Sequence, residues 1–127
     1  MFPEPPALLP ATSPRKVLVV EDNADAADSL CVLLEVWGHE VRVAFNGLDG
    51  LIAAQDFRPD VVLCDLGLPI VNGFAVAQAL RSSGARLIAI TGYGNAGFRR
   101  TALACGFEEV LVKPADPNTL ARLVAED

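Results

Sequence analysis

The sequence predicts an α/β fold, in which helices cover both faces of a doubly wound sheet of five parallel strands. Short apolar runs alternate five times with segments that carry apolar residues at helical spacing. Each connection is long enough for a crossover helix, so neighbouring strands should be parallel and the crossovers right-handed. The first, third and fourth runs are apolar without interruption, as is typical of strands buried on both faces. The 127 residues suffice for one domain of this kind.

The strands are predicted from apolar runs that end in polar residues or turns. The second run alternates polar and apolar residues, which favours a half-exposed strand at the edge of the sheet. The third run leads directly into Asp65, and a Gly-x-Pro turn follows. The five predicted strands are 17–20, 40–44, 60–64, 86–90 and 109–112.

The helices are predicted from apolar spacing and from residues that typically begin or end a helix. Gly38 and Gly106 are placed to end the first and fourth helices. The third should stop near residues 82–84. Asp116 is a good N-cap for the fifth, with Pro117 at the first helical position. The apolar positions that mark the helices are 27, 30, 33, 34 and 37; 48, 51 and 52; 74, 77 and 80; 98, 102 and 105; and 120, 123 and 124.

Composition and charge argue against several functions. The net charge is −6 and no run of basic residues is longer than a pair such as Arg99–Arg100, which disfavours a nucleic-acid-binding surface. The apolar runs are too short to span a bilayer. Residues 1–10 lack the basic start of a signal peptide, so we expect a cytoplasmic protein. We interpret residues 1–14 as a proline-rich tail or linker and 15–127 as the domain.

A few other residues are assigned structural roles. His39, in the loop before the second strand, is interpreted as a surface residue, and Trp37 as part of the core. The three cysteines, Cys31, Cys64 and Cys105, are odd in number and widely spaced, so we expect small buried thiols and neither a disulfide nor a zinc site.

Polar side chains follow four of the five predicted strands. They are Glu21 and Asp22 after the first, Asp65 after the third, Thr91 after the fourth and Lys113 after the fifth. In a parallel sheet these strand ends lie along one edge, where ligands usually bind. Carboxylates gathered there repel one another unless a cation intervenes, and a hard divalent cation such as Mg²⁺ suits oxygen ligands. The lysine and the threonine suit an anion instead.

Each of these residues has an ordinary structural explanation when taken alone. Asp22 or Asn23 could cap the first helix, and Asp65 could be a turn residue. Thr91 could end a strand, and Lys113 could be a solvated surface charge. Their coincidence at one edge favours a functional site.

At these positions the chain resembles a known family. The segments VLVVEDN, VVLCDLGLP, LIAITG and VLVKP, in this order, are similar to the receiver domain of two-component response regulators. The ITGYG segment and the ending GF-x-x-x-LVKP are most similar to receivers attached to hybrid sensor histidine kinases. The resemblance covers residues 16 to about 125. It implies a flavodoxin-like fold with strand order 2-1-3-4-5.

The resemblance also implies the chemistry of the site. Asp65 would be the phospho-acceptor, and Mg²⁺ would be bound by Glu21, Asp22, Asp65 and the backbone carbonyl of Gly67. Thr91 and Lys113 would contact the phosphoryl oxygens. The Lys113–Pro114 peptide bond would be cis, as X–Pro bonds allow.

The implied partners are a sensor histidine kinase or a histidine phosphotransfer protein, and weak homodimerisation is left open. No enzymatic activity is expected beyond self-phosphotransfer and autodephosphorylation. Two alternatives stay open: a pseudo-receiver that only docks a partner, and an aspartate-nucleophile phosphatase. The phosphatase is disfavoured because Gly67 stands where that class carries a second Asp. A flavodoxin-like electron carrier is disfavoured because Glu21 and Asp22 would repel its phosphate.

Three departures from the receiver pattern concern the output of the domain. Val110 stands where receivers usually carry Tyr or Phe, Ala115 stands where many carry Phe, and the segment 81–86 is short. Val110 has no ring to rotate. We therefore expect phosphorylation to reorder the loop 91–97 around Tyr93, with little change at Val110.

Overall fold

The computed structural model describes residues 14–68, 71–92 and 96–126. Its strands are β1 (Lys16–Val20), β2 (Glu40–Ala44), β3 (Val61–Asp65), β4 (Arg86–Thr91) and β5 (Glu109–Val112). Its helices are α1 (Ala24–Val36), α2 (Gly47–Phe57), α3 (Gly73–Leu80), α4 (Ala96–Cys105) and α5 (Pro117–Ala125). The tail at residues 1–13 and the loop around Tyr93 lie outside the described residues, so the expectations for both stay predictions.

The five strands form one parallel sheet of order β2-β1-β3-β4-β5, which confirms the predicted fold. β3 and β4 each end one residue later than predicted, because Asp65 pairs with Ile90 and Thr91 pairs with Val112 in the ladder. Asp65 and Thr91 are therefore the last residues of β3 and β4. Strand pairing thus fixes the backbone of both residues directly.

The core consists of two apolar clusters, one on each face of the sheet. Successive side chains of a strand point to opposite faces, so Val17 and Val19 join one cluster while Leu18 and Val20 join the other. The first cluster also holds Leu34 and Trp37 near α1 and Leu120 of α5. The second is covered by α2, α3 and α4 through Phe57, Val76, Leu80 and Ala102. Burial on both faces explains why β1, β3 and β4 are uninterrupted apolar runs.

The helices begin and end at most of the expected residues. Gly38 and Gly106 follow α1 and α4 with φ of 98° and 118°, a conformation that favours glycine. The Asp116 carboxylate accepts the Thr119 N–H at 3.0 Å and caps α5. The end of α2 was not expected: Arg58 takes the left-handed conformation there, with φ of 53°. No helix in the described parts of the chain is long and apolar enough to cross a membrane.

The interpretation of His39 as a surface residue is wrong. Its side chain is only 6% exposed, and its Nδ1 accepts the backbone N–H of Arg15 at 3.0 Å. Glu40 also donates its N–H to the Arg15 carbonyl, so the start of β2 is hydrogen-bonded to the residue before β1. The loop that carries His39 therefore packs against the start of β1. The burial of Cys64 and the core position of Trp37 are confirmed, whereas Cys31 and Cys105 are only half-buried. All three cysteines are free thiols.

The buried His39 should make the stability of the fold depend on pH. Burial, and then the charge of Arg15, lower the pKa of His39, so the folded protein binds this proton less readily than the unfolded chain. The stability is therefore complete above the ordinary histidine pKa of about 6.5 and is lost as pH falls through the lowered value. We expect the melting temperature of the wild type to fall more between pH 7.5 and pH 5.5 than that of His39→Gln. Equal losses in both proteins would contradict this assignment.

Candidate functional site

The predicted site residues lie together at the carboxyl edge of the sheet. Glu21 directly follows β1, Asp65 and Thr91 end β3 and β4, and Lys113 directly follows β5. Because β1, β3, β4 and β5 are parallel neighbours, their carboxyl ends are adjacent. The Lys113–Pro114 peptide bond just beyond β5 is cis, as predicted.

Lys113 bridges the carboxylates of Glu21 and Asp65. Its Nζ lies 2.8 Å from Glu21 Oε1 and 3.4 Å from Asp65 Oδ2. The side chains of Glu21 and Asp65 are 3% and 13% exposed, and that of Lys113 is 34% exposed. The ammonium therefore holds two largely desolvated carboxylates together and stays accessible from solvent.

The surroundings of Glu21 and Lys113 raise the pKa of both groups. Burial raises the pKa of Glu21, and hydrogen bonds from Lys113 and from the Asn23 N–H offset only part of this effect. Burial acts to lower the pKa of Lys113, but the hydrogen bond to Glu21 and the negative charge of Asp65 outweigh it, so the pKa is raised. Lys113 is thus a permanent cation at neutral pH. Its positive charge is the kind of group that stabilises an incoming phosphoryl oxygen.

The turn after β3 fixes the second oxygen of Asp65. Its Oδ1 accepts the Gly67 N–H at 3.1 Å, while Oδ2 faces Lys113. The first residue of α3, Gly73, donates its N–H to the Leu66 carbonyl at 3.2 Å and lies against the Asp65 backbone. A Cβ at Gly73 would collide with the Asp65 carbonyl oxygen. Apolar spacing gives no sign of this role of Gly73, and the Asn72–Gly73 pair that opens α3 is the sequence signal for it.

The acid cluster suits a divalent cation. One carboxylate oxygen from each of Glu21, Asp22 and Asp65 lies within 4.8 Å of the other two. Opposite ligands of an octahedral Mg²⁺ are about 4.2 Å apart, so the cluster is close to the required size and has the required oxygen donors. Burial raises the pKa of Glu21, and the negative charge of Asp65 acts in the same direction. The orientation of the Gly67 carbonyl toward a metal stays a prediction.

Thr91 and Val110 occupy the remaining positions of interest. Thr91 is buried at the end of β4, and its carbonyl accepts the Lys113 N–H at 2.7 Å, which anchors the chain just after β5. Val110 is buried in the core cluster that includes Ala102 of α4. A contact of Thr91 with a phosphoryl group stays a prediction.

Of the two residues that could cap α1, Asp22 and Asn23, it is Asn23 that does so. Its side-chain Oδ1 accepts the Ala26 N–H at 2.9 Å, so Asn23 caps α1. Asp22 is exposed and free to face a ligand. The backbone N–H of Asn23 also donates to Glu21 Oε2 at 3.1 Å, a contact that the sequence did not suggest.

A groove of about 490 Å³ adjoins the site between α1 and the start of α5. Its walls are mainly apolar, and Glu21 and Lys113 lie among the residues that line it. The lining also includes Leu30, Leu33, Ile90, Pro114 and Leu120. An apolar surface thus continues directly from the charged site.

Comparison with known proteins agrees with this geometry. A profile of the response regulator receiver domain matches residues 17–125. The DNA-binding response regulator MtrA of Mycobacterium tuberculosis is 33% identical over 114 residues, which cover 89% of this chain and 50% of that protein. An uncharacterized 14.6 kDa protein of Leptolyngbya boryana is 36% identical over 114 residues, which cover 87% of each chain. The chain thus spans about half the length of MtrA.

Solved structures show the same fold. The chemotaxis protein CheY4 of Vibrio cholerae superposes with a TM-score of 0.82 at 29% identity, over 88% of this chain and 97% of that one. A CheY-like receiver domain protein of Methanospirillum hungatei gives a TM-score of 0.82 at 26% identity, over 88% of this chain and 91% of that one. With the family profile spanning nearly the whole described chain, the protein belongs to the receiver domain family of two-component response regulators.

Proposed function

We propose that this domain accepts a phosphoryl group from a phosphohistidine onto Asp65 in a Mg²⁺-dependent reaction, and so switches or relays a signal. The observation that supports this most is the position of Asp65. It ends β3 in the middle of the sheet, beside Glu21 and Asp22, with the Lys113 ammonium 3.4 Å from its Oδ2. A nucleophilic carboxylate flanked by a cation and a metal-binding acid pair suits phosphoryl transfer.

In the proposed reaction, one carboxylate oxygen of Asp65 forms the new bond to phosphorus. The N–P bond of the phosphohistidine breaks in line, and its electron pair stays on the imidazole nitrogen. Lys113 stabilises the negative charge on the phosphoryl oxygens, and Thr91 offers them a hydroxyl. Glu21, Asp22, Asp65 and the Gly67 carbonyl would hold Mg²⁺, which when bound offsets the negative charge between the carboxylate and the phosphoryl group.

We further propose that the domain is not an enzyme toward other substrates. The product is an acyl phosphate, which water hydrolyses, so only self-phosphotransfer and autodephosphorylation are expected. A phosphatase would need an acid/base side chain near the nucleophile, and Gly67 provides none. A pseudo-receiver that only docks a partner is less favoured, because the acids and the lysine are present and in contact.

The groove beside the site supports a docked donor protein. A histidine kinase or phosphotransfer protein must bring its phosphohistidine to the carboxyl edge of the sheet, where Asp65 lies. The apolar groove starts at that edge and runs along α1. On the same helix, Val32 and Val36 are 60% and 65% exposed, one helical turn apart. We propose that this surface of α1 contacts the donor.

The test uses a small-molecule donor and reads the result by intact mass. Incubation with acetyl phosphate and Mg²⁺ should add one phosphoryl group per chain, and chelation of the metal should prevent it. A mass that does not change in the presence of Mg²⁺, or that changes equally in its absence, would contradict the proposal.

Mg²⁺ should also stabilise the fold. Because burial raises the pKa of Glu21, its ionised form costs stability, and this cost grows as pH rises through that pKa. A cation that binds only the folded protein offsets it, by about 2.7 kcal/mol at 100 times its Kd. Asp22→Asn should weaken this effect, and without metal it should melt no lower than the wild type. A melting temperature unchanged by millimolar Mg²⁺ would contradict the metal site.

A further inference from the structure

We propose that Gly47, the first residue of α2, is a positioning residue for the phospho-acceptor Asp65. In this arrangement α2 is a rigid support for the loop between β3 and α3, which contains the turn that holds the Asp65 carboxylate. The inference rests on the proposed function and deepens it, because it adds a residue from outside the charged site to those that set the rate of phosphorylation. Three observations support it.

The first observation is the contact between the start of α2 and the loop. A Cβ at Gly47 would collide with the Val71 carbonyl oxygen and would lie 2.7 Å from the carbonyl carbon. Carbon atoms in ordinary contact are about 3.5–4.0 Å apart, so only a residue without a side chain lets the two backbones approach this closely. Val71 also packs against the core cluster that α2, α3 and α4 cover. The loop therefore contacts α2 through backbone atoms that cannot rotate away.

The second observation is that the start of α2 is itself fixed. The Asn46 side chain caps the helix, because its Oδ1 accepts the Asp49 N–H at 2.8 Å and its Nδ2 donates to the Asp49 carboxylate at 3.0 Å. One turn further along, a Cβ at Gly50 would lie 3.0 Å from Val20 Cγ2, so α2 also packs closely on the buried last residue of β1. Gly47 is thus held by the cap of its own helix and by the sheet.

The third observation is that α3 holds the loop at its other side in a similar way. A Cβ at Gly73 would collide with the Asp65 carbonyl oxygen, and the Gly73 N–H donates to the Leu66 carbonyl at 3.2 Å. Leu66 is therefore held from α3 and Val71 from α2. Between these two contacts, the Gly67 N–H donates to Asp65 Oδ1 at 3.1 Å. A displacement of the loop would thus move the hydrogen-bond partner of the acceptor carboxylate.

The position of the carboxylate matters because its oxygen has to attack phosphorus in line. A misplacement of about 1 Å can slow such a reaction about 100-fold. Bringing a Cβ at Gly47 from collision to ordinary contact requires α2 and the loop to separate by about 1 Å or more. Since α2 is fixed by its cap and by β1, we expect the loop to take up most of this shift.

Gly47→Ala tests the inference, and Ala54→Gly is its matched control. Ala54 is a buried residue of the same helix, about two turns from Gly47, and its replacement weakens α2 without adding an atom between helix and loop. At saturating Mg²⁺, we expect Gly47→Ala to take phosphate from acetyl phosphate about 10- to 100-fold more slowly than the wild type, and Ala54→Gly to stay within about twofold of it. Melting temperatures verify that each variant is folded.

Amide NMR of the metal-free protein supplies a readout that a role in helix stability alone would not move. The Gly67 N–H donates to the Asp65 side chain and the Gly73 N–H to the Leu66 carbonyl, so both amide signals report on the loop. Gly47→Ala should shift both signals. Ala54→Gly should leave both at their wild-type positions.

A second variant decides the question if the collision prevents Gly47→Ala from folding. Val71→Gly removes the Cβ that faces Gly47 and frees the loop without adding an atom. It should shift the same two amide signals and slow phosphate uptake. Where Gly47→Ala does fold, the effects of the two changes on the rate should not add in the double variant, because either change alone already displaces the loop.

Several outcomes would overturn the inference. They are a folded Gly47→Ala that takes phosphate at the wild-type rate, equal slowing in Gly47→Ala and Ala54→Gly, and unshifted Gly67 and Gly73 signals in Val71→Gly. Additive effects of Gly47→Ala and Val71→Gly on the rate would overturn it as well. If the wild type accepts no phosphate at all, the proposed function fails, whereas the amide signals still decide whether α2 holds the loop beside Asp65.

Discussion

Asp65→Asn should abolish phosphorylation by acetyl phosphate. The amide keeps the shape of the carboxylate, and its oxygen can still accept the Gly67 N–H, so the turn after β3 is preserved. It lacks the negatively charged oxygen that must attack phosphorus. No other described carboxylate ends a strand next to Lys113 with the same access. The intact mass of the variant should therefore stay unchanged under conditions in which the wild type gains one phosphoryl group.

A matched control lies at the other end of β3. Asp60 directly precedes that strand, is exposed, and accepts the Lys16 N–H at 2.8 Å through its side chain. Asp60→Asn keeps an acceptor oxygen there and should be phosphorylated like the wild type. Phosphate on Asp65→Asn, or none on Asp60→Asn, would refute the assignment of the acceptor. Unchanged melting profiles would exclude unfolding as the cause.

Gly73→Ala should lower stability and slow phosphorylation together. The added Cβ would lie 2.7 Å from the Leu66 Cα and would collide with the Asp65 carbonyl oxygen, both backbone atoms that cannot rotate away. Alanine in a helix gains up to about 1 kcal/mol over glycine, but overpacking of this kind costs about 1–3 kcal/mol, so the collision wins. Denaturant unfolding measures this loss. A shift of about 1 Å at Asp65 would slow phosphate uptake by up to about 100-fold.

Gly92 provides the control for this substitution. A Cβ there meets no atom of the described residues within 4 Å, and the φ of Gly92 is not in the left-handed region. Gly92→Ala should therefore leave the unfolding free energy unchanged or raise it slightly, by less than about 1 kcal/mol. If Gly73→Ala is as stable as Gly92→Ala, α3 does not support the backbone of Asp65 in the way described.

Much of the fold follows from the sequence because its signals are local. Apolar runs flanked by helical spacing identify all five strands and helices, and Gly38, Gly106 and Asp116 mark helix boundaries through their own backbone or side-chain chemistry. The meeting of Asp65 with Lys113 also follows, because a parallel sheet brings its strand ends to one edge whatever the details of packing. For this reason the candidate site could be predicted before any distance was known.

Other features depend on contacts between distant segments, which no local pattern encodes. His39 is buried because the starts of β1 and β2 are tied together by Arg15, and a polar residue in a short loop gives no sign of that. Gly73 matters only because α3 lies against the turn after β3. Glu21 and Lys113 are 92 residues apart in the chain. The lysine Nζ lies 2.8 Å from Glu21 Oε1 and 3.4 Å from Asp65 Oδ2, so it is nearer to Glu21. The sequence by itself determined which groups meet at the edge of the sheet. Only the tertiary structure decided which of them hold one another, because a difference of tenths of an ångström depends on how every packed element positions the backbone beneath them.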